Sequence, residues 1–241
     1  MALPLLQLDQ VSKNYGALKV TDNLSFSLSR GEALGVLGPN GAGKSTMFNL
    51  ITGDVRPDAG SVHYDDQDIT RLPPSARCKL GIGRSYQVPH PFSGMTVFEN
   101  LLVGAKFGAR LPKEEAYPHC VAVLEQTGLL GKANNLAGSL SLLDRKRLEM
   151  ARALATKPKL LLLDEIAGGL TDNEANALVS TIKDVRAAGV SIVWIEHVVH
   201  ALLAVVDRLI VINFGELLKE GEPESVMASR EVREVYMGIE A

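Results

Sequence analysis

Residues 38–46 read Gly-Pro-Asn-Gly-Ala-Gly-Lys-Ser-Thr, and the first eight of them fit the phosphate-loop pattern G-x-x-x-x-G-K-[ST]. The apolar run ALGVL at residues 33–37 leads into this loop and predicts a buried strand. Residues 45–51 predict a helix, for which Gly53 is a suitable C-cap. Because the pattern binds phosphate between a strand and a helix, this stretch predicts a nucleotide site in an α/β fold.

The loop residues have distinct chemical roles. Glycines let backbone N–H groups turn toward phosphate oxygens, and the following helix points the positive end of its dipole at the same anion. We expect Lys44 to reach the β- and γ-phosphates and the Ser45 hydroxyl to bind Mg²⁺, which prefers oxygen ligands. The predicted nucleotide-binding residues of the loop are Gly38, Pro39, Asn40, Gly41, Ala42, Gly43, Lys44, Ser45 and Thr46.

The composition is that of a globular protein with an ordinary surface. The chain has 241 residues, of which 46% are hydrophobic and 22% charged, and its net charge of −3 gives no basic field for a nucleic-acid partner. Cys78 and Cys120 lie far apart, which favours a reducing compartment over a disulfide or metal framework. No run of 18 apolar residues and no basic leader occur, so we expect any membrane role to come through docking onto another protein.

Two patterns of hydrophobicity divide the chain. Period-two alternation predicts half-exposed antiparallel strands at residues 5–11, 24–28 and 61–64, with residues 12–23 as a connecting segment. Unbroken apolar runs predict strands of a parallel sheet that is buried on both faces. These runs are residues 160–163, 190–195 and 209–212, with a helical stretch at residues 173–188.

A helical region is predicted between the two sets of strands. From about residue 95 to residue 155 the pattern becomes helical, with helices expected at residues 97–103, 114–127 and 144–155. The sequence therefore predicts a single domain, residues 1–241, with a mostly parallel core sheet, an antiparallel β subdomain and a helical subdomain at about residues 90–155.

Acidic and basic side chains follow two of the buried runs. Asp164 and Glu165 end the run that begins at Leu160, and His197 follows the run VSIVWIE. Ligands of α/β sheets gather at the carboxyl ends of strands. We therefore expect Asp164 to hold Mg²⁺, Glu165 to polarise an attacking water, and His197 to reach a γ-phosphate.

Two further residues are candidates with weaker signals. Gln87 closes the run KLGIGRSYQ, and its amide can bind Mg²⁺ or order water. Tyr15 is expected in a loop before the second strand, where its ring could stack on a base or simply pack at the surface.

The chain resembles the nucleotide-binding subunit of an ABC transporter across essentially its whole length. The resemblance lies in the order and spacing of Tyr15, the phosphate loop, Gln87, LLLLDE and His197. The resemblance implies an ATPase that uses ATP and Mg²⁺. In it Tyr15 stacks on adenine, Gln87 couples the site to a membrane subunit, Glu165 is the catalytic base and His197 contacts the γ-phosphate. It also places the D-loop, which runs across to a second copy, at residues 168–171.

Within that family the chain is similar to the ATP-binding subunits of branched-chain amino acid importers. The similar stretches are residues 92–101, 146–152, 195–197 and 235–238. The lipopolysaccharide-export ATPase is similar in the same places. The resemblance implies work at the cytoplasmic face of the membrane with transmembrane permease subunits, a second ATPase subunit and, indirectly, a solute-binding protein.

One departure from the family pattern affects the expected mechanism. The signature LSGGQ falls on Leu140-Ser-Leu-Leu-Asp144, so leucines replace the small residues and an acid replaces glutamine. In the family this loop closes the nucleotide site of the partner chain. We expect Leu143 to obstruct the approach to phosphate and Asp144 to repel it, whereas Ser141 could still donate a hydrogen bond. Ile166 and Val198 are smaller departures beside Glu165 and His197.

The departure suggests an asymmetric pair, in which this chain hydrolyses its own ATP against an intact signature from a paralogous partner. Two other classes stay open. A non-transport ATPase of the same superfamily would usually carry a coiled-coil insertion, a basic patch or tandem copies, and a regulatory module would bind ATP without turnover. A small GTPase is disfavoured because the chain has no Asn-Lys-x-Asp segment.

Overall fold

The computed structural model describes residues 3–237, and these form two compact units. The first unit combines the residues up to Arg77 with those from Ser191 onward, and the second spans Cys78 to Val190. The last residue of the similar stretch 235–238, Gly238, lies outside the described residues.

Strands and helices follow one another along the chain in an α/β arrangement. They are β1 (Leu6–Tyr15), β2 (Leu18–Leu28), β3 (Ala33–Leu37), α1 (Lys44–Thr52), β4 (Ala59–Tyr64), β5 (Gln67–Asp68), α2 (Pro74–Leu80), β6 (Ile82–Ser85), α3 (Val97–Val103), α4 (Lys113–Gln126), α5 (Leu142–Ala155), β7 (Leu160–Asp164), α6 (Asp172–Ala187), β8 (Ser191–Ile195), α7 (Val199–Leu203), β9 (Arg208–Asn213), β10 (Glu216–Gly221), α8 (Pro223–Ala228) and α9 (Arg230–Met237).

The parallel strands of the first unit flank β3. This strand pairs in parallel with β8 and with β9, and β10 adds to β9 as an antiparallel neighbour. All five residues of β3 and all five of β8 are buried. Burial on both faces explains why these runs are apolar without alternation, and it confirms the prediction of a mostly parallel sheet.

An antiparallel sheet with the order β2-β1-β4-β5 forms the rest of the strand structure in this unit. The prediction of a connecting segment at residues 12–23 is wrong, because β1 continues to Tyr15 and β2 begins at Leu18. Most side chains at this end of the hairpin are exposed or half-exposed, so no apolar alternation marks the strands there. Tyr15 therefore ends a strand and pairs with Leu18 across a two-residue turn.

The second unit contains one parallel strand pair and four complete α-helices. β6 pairs with β7, with Gly83 opposite Leu161. The helices α3, α4, α5 and α6 confirm the helical predictions for this region to within two residues at each end. Thr96 begins α3 with a capping box, and Thr171 does the same for α6. In the part of the chain that is described, no helix is long and apolar enough to cross a bilayer.

Candidate nucleotide site

The phosphate loop connects β3 to α1 in the first unit, and two of its glycines are required by close backbone approach. A Cβ at Gly38 would lie 2.2 Å from the Ile212 carbonyl oxygen. Gly43 has φ 99°, and a Cβ there would lie 2.4 Å from the Val20 carbonyl oxygen. Since real Cβ atoms do not approach backbone oxygens this closely, neither position accepts a larger residue without movement of the loop.

The N-terminus of α1 presents groups that suit a phosphate anion. Its N-cap residue, Gly43, provides no side-chain hydrogen bond to the first turn of the helix. The backbone N–H groups of the first helical turn and the helix dipole favour an anion at this end. The Lys44 ammonium lies back over the loop, where it donates to the carbonyl oxygens of Gly38 at 2.7 Å and Pro39 at 3.0 Å. A positive charge is thus held at the phosphate loop.

His197 lies beside this loop. An open pocket of ≈ 210 Å³ is lined by Gly38, Pro39, Asn40, His197 and Val235. His197 is exposed, and its backbone N–H donates at 2.9 Å to the carboxylate of Glu196, which is fully buried. The structure therefore brings His197 to the phosphate loop, as expected from its place after β8.

Tyr15 is 48% exposed at the end of β1, so its ring is available for stacking. The Lys13 ammonium lies 5.8 Å from the ring centroid. The quadrupole of an aromatic ring attracts a cation that lies over its face. The stacking role of Tyr15 stays a prediction.

The second unit places the acidic residues at the end of β7. Asp164 is its last residue and is 4% exposed, and Glu165 follows with φ 47°. Arg84 of β6 donates from Nη2 to Asp164 Oδ2 at 2.8 Å. Because both side chains of this ion pair are almost fully buried, Arg84 restrains the orientation of the Asp164 carboxylate.

Gln87 contacts Glu165 directly. The Gln87 amide nitrogen donates to Glu165 Oε2 at 2.5 Å, and the Lys146 ammonium donates to the Glu165 backbone carbonyl at 3.2 Å. Glu165 is therefore oriented both at its side chain and at its backbone. The arrangement brings together two of the predicted site residues of the second unit and adds Lys146, which the sequence patterns did not single out.

The segment that aligns with the signature begins α5. Ser141 is the N-cap residue, and Arg145 holds the preceding loop by donating to the carbonyl oxygens of Leu140 and Gly138, at 2.9 Å each. Leu142 is 49% exposed, while Asp144 is 5% exposed. The expectation that Asp144 would present a repelling charge to phosphate is not met, because its carboxylate is buried and bonded within the unit.

Arg84 and Lys132 contact predicted residues of the site, but no local sequence pattern indicates either of them. Arg84 lies in the run that ends at Gln87 and contacts the ring of Tyr86, and its ion pair with Asp164 depends on the register of β6 against β7. Lys132 lies 12 residues before Asp144, in a short 3₁₀ turn that has no periodicity to reveal it. Among residues 3–237, no cluster of three His, Cys, Asp or Glu side chains is arranged to hold a metal ion.

Comparisons with known proteins show which family the chain resembles. A family model described as ABC transporter matches residues 21–168. The chain is 35% identical to the high-affinity branched-chain amino acid transport ATP-binding protein LivG of Escherichia coli, with 99% of each chain covered. It is 34% identical to the lipopolysaccharide export system ATP-binding protein LptB of Haemophilus influenzae, with 98% of each covered.

A solved structure extends the similarity to the fold. The crystal structure of an ATP-binding cassette of an ABC transporter in its ADP conformation superposes with a TM-score of 0.89 at 32% sequence identity. The alignment covers 99% of this chain and 100% of that one. Because the alignment spans nearly the whole of both chains, the similarity is not limited to the phosphate loop.

Proposed function

This chain belongs to the ABC transporter family and is an ATPase, and on that premise we propose that it energises the uptake of branched-chain amino acids or related small polar solutes. The similarity to the branched-chain amino acid relative over nearly the full length of both chains supports this substrate class. A lipopolysaccharide-export role is the second candidate, because that relative is similar to almost the same degree.

The observation that supports ATP binding and hydrolysis in this proposal is the pocket lined by His197 and the phosphate loop. We assign phosphate binding to the first unit, which contains the phosphate loop and His197. The Lys44 ammonium exchanges its bonds to the loop carbonyls for bonds to phosphate oxygens, and the N–H groups of the loop bind the same anion. His197 donates to the γ-phosphate, where negative charge must be stabilised during its transfer.

We assign proton transfer to the second unit. Water attacks the γ-phosphorus, the bond to the β-phosphate oxygen breaks, and the Glu165 carboxylate accepts the proton that the water loses. The hydrogen bond from Gln87 and the bond from Lys146 fix the position of Glu165 for this task. Gln87 is in turn the residue through which a membrane subunit can influence the base.

We propose that Ser45, Asp164 and Gln87 are the residues that would hold Mg²⁺. Ser45 offers an exposed hydroxyl at the first turn of α1, and Asp164 offers a carboxylate at a strand end, with the Gln87 amide oxygen as a third group. These are the oxygen ligands that this ion prefers. When bound, Mg²⁺ neutralises charge that develops on the phosphates. Arg84 must then share the Asp164 carboxylate or release it.

We propose that the chain works as one half of an unequal ATPase pair at the cytoplasmic face of the membrane, bound to transmembrane permease subunits. Its phosphate loop, Glu165 and His197 serve one ATP, which an intact LSGGQ segment of a paralogous subunit closes. The substituted segment at residues 140–144 supports this inequality. A solute-binding protein would deliver the transported molecule.

Affinity purification of the tagged chain from detergent-solubilised membranes of its own host tests the proposal. We expect permease subunits and a second ATPase with an intact signature to co-purify, and the complex in vesicles to accumulate labelled leucine with ATP. A complex of Glu165→Gln is the matched control, which should assemble and fail to transport.

Recovery of lipopolysaccharide-transport subunits, with no leucine uptake, would select the second candidate. Recovery of soluble proteins alone would contradict the transporter assignment. In that case the non-transport ATPase and the regulatory module would be separated by whether the purified chain releases phosphate from ATP.

A further inference from the structure

The start of α5 contains a closed set of hydrogen bonds between two residues. The Ser141 hydroxyl oxygen accepts a hydrogen bond from the Asp144 backbone N–H at 3.3 Å, which is the usual N-cap interaction. The same hydroxyl lies 2.8 Å from Asp144 Oδ2 and donates to it. Ser141 thus uses both its accepting and its donating capacity inside its own helix turn.

Lys132 completes the arrangement. Its ammonium forms a salt bridge with the same Oδ2 atom, and the Asp144 side chain is only 7% exposed. Burial raises the pKa of the Asp144 carboxyl, but the hydrogen bonds from Lys132 and Ser141 and the charges of Lys132 and Arg147 together bring the pKa below its ordinary value. Asp144 is therefore ionised at neutral pH, and an ionised carboxylate only accepts hydrogen bonds.

Because Asp144 can only accept, the single hydroxyl proton of Ser141 points at it. A phosphate oxygen also only accepts, so Ser141 in this state offers it no proton. Glutamine at position 144, which the family signature has, would carry no charge to attract Lys132 or to hold the hydroxyl as strongly. The substitution of an acid here thus changes what Ser141 can bind.

We propose that Asp144, held by Lys132, is an autoinhibitory residue that withholds the Ser141 hydroxyl from ATP bound to a partner subunit. This rests on the proposed function, in which the segment faces the nucleotide of another chain. It differs from obstruction by leucine, since it locates the defect in a hydrogen bond and not in side-chain volume.

The two explanations predict different rescues. Leu142 is half-exposed, and its Cδ2 lies 3.7 Å from where a Cβ on Gly169 would be, so it packs toward the D-loop. If volume is the defect, replacement of Leu142 and Leu143 by glycine restores function. If the hydrogen bond is the defect, replacement of Asp144 restores it while both leucines remain.

The loop before α5 should survive the change at Asp144. Arg145 binds the carbonyl oxygens of Leu140 and Gly138 independently of Asp144, and Ser141 still caps the backbone N–H of whatever residue stands at position 144. Asp144→Ala is therefore a suitable variant, and its thermal unfolding curve shows whether the fold is intact.

The experiment uses the purified full chain with Glu165→Gln, so that bound ATP is not consumed, and measures dimerisation by light scattering with and without ATP and Mg²⁺. We expect Glu165→Gln alone to stay monomeric. Adding Asp144→Ala should lower the dimer dissociation constant in ATP at least tenfold. Further addition of Ser141→Ala should remove that gain, whereas Glu114→Ala, which removes an exposed acid from the first turn of α4, should give no gain.

A folded Asp144→Ala chain that stays monomeric overturns the inference. A gain in dimerisation that survives the addition of Ser141→Ala also overturns it. Dimerisation by Leu142→Gly with Leu143→Gly, but not by Asp144→Ala, assigns the defect to volume. Dimerisation of Glu165→Gln alone contradicts both the inhibitory role of Asp144 and the need for a paralogous partner in the proposed function. Failure of a paralogue to co-purify, with a gain from Asp144→Ala, contradicts only the proposed pairing.

Discussion

The Gln87 amide nitrogen donates a hydrogen bond of 2.5 Å to the Glu165 carboxylate. This bond restrains the orientation of the Glu165 side chain. The position of the proposed base therefore depends on a side chain that follows a different strand, β6, and any displacement of residues 86–88 changes the position of Glu165.

Replacement of Gln87 by alanine should lower kcat for ATP hydrolysis about tenfold, because an unrestrained base is still present but misplaced, whereas Glu165→Gln should lower it roughly 100-fold or more. KM for ATP should change little in both. Steady-state phosphate release from the purified complex measures these values. Gln126→Ala, at an exposed helix end, is the control, and an unchanged kcat in Gln87→Ala would contradict the orienting role.

Replacement of Gly43 by alanine should destabilise the chain by more than the roughly 1–2 kcal/mol that a left-handed conformation alone costs, because the new Cβ meets the Val20 carbonyl oxygen. Gly31→Ala is a matched variant. It has φ 74° with open space around the added Cβ, so it should show the conformational cost alone. Urea unfolding compares them, and equal midpoints would show that the loop relaxes around the Val20 contact.

Arg77 should tolerate no substitution, since its guanidinium is fully buried and donates to four backbone carbonyl oxygens. These belong to Leu72, Leu50, Ile51 and Thr70, and two of them are in the last turn of α1. Arg77→Met should cost about 3 kcal/mol or more because the carbonyls lose their donors, and Arg77→Lys should rescue little because one ammonium cannot span the set. Arg71→Lys, at an exposed position, is the control in the same denaturation assay.

The Cys120 thiol should resist alkylation in the folded chain. Burial raises the pKa of Cys120 to about 11, so the reactive thiolate is roughly one part in a thousand at pH 8. A Cys78→Ser variant isolates this residue. Its labelling by iodoacetamide should accelerate about tenfold per pH unit between pH 8 and pH 10, and should be fast at pH 8 in denaturant. Rapid labelling of the native variant at pH 8 would contradict the burial of this thiol.

Local patterns predict the centre of the fold well. The strand before the phosphate loop and the helix after it are confirmed, since a fully buried run and a glycine-rich turn leave few alternatives. The helices α3 and α6 of the second unit are also confirmed, and each begins at a threonine with a capping box. By contrast, β10, α8 and α9 carry short or mostly polar sequences and were not predicted. Their structure depends on tertiary packing, since β10 pairs with β9, α8 packs against β9 and β10, and α9 packs against α8 and β10.

The site is only partly predictable for a related reason. Glu165 and His197 closely follow strand ends, and Lys44 begins the helix after the phosphate loop, so the order of the elements along the chain indicates all three. The ion pair between Arg84 and Asp164 requires knowledge of strand register, and the bond from Lys132 to Asp144 requires the path of an irregular turn. Asp144 illustrates the difference: the sequence showed an acid, but only the structure shows that its charge is compensated.

The pairing of β3 has a consequence for synthesis of the chain on the ribosome. Its two neighbours, β8 and β9, are translated only after the whole second unit, so the strand that carries the phosphate loop waits roughly 10 s or longer for a partner at ordinary elongation rates. During this interval the nascent chain exposes the apolar run ALGVL. A slow stretch of codons placed before residue 191 would prolong the exposure of β3 to chaperones and to aggregation, whereas one placed after residue 213 would act only once both partner strands have been synthesised.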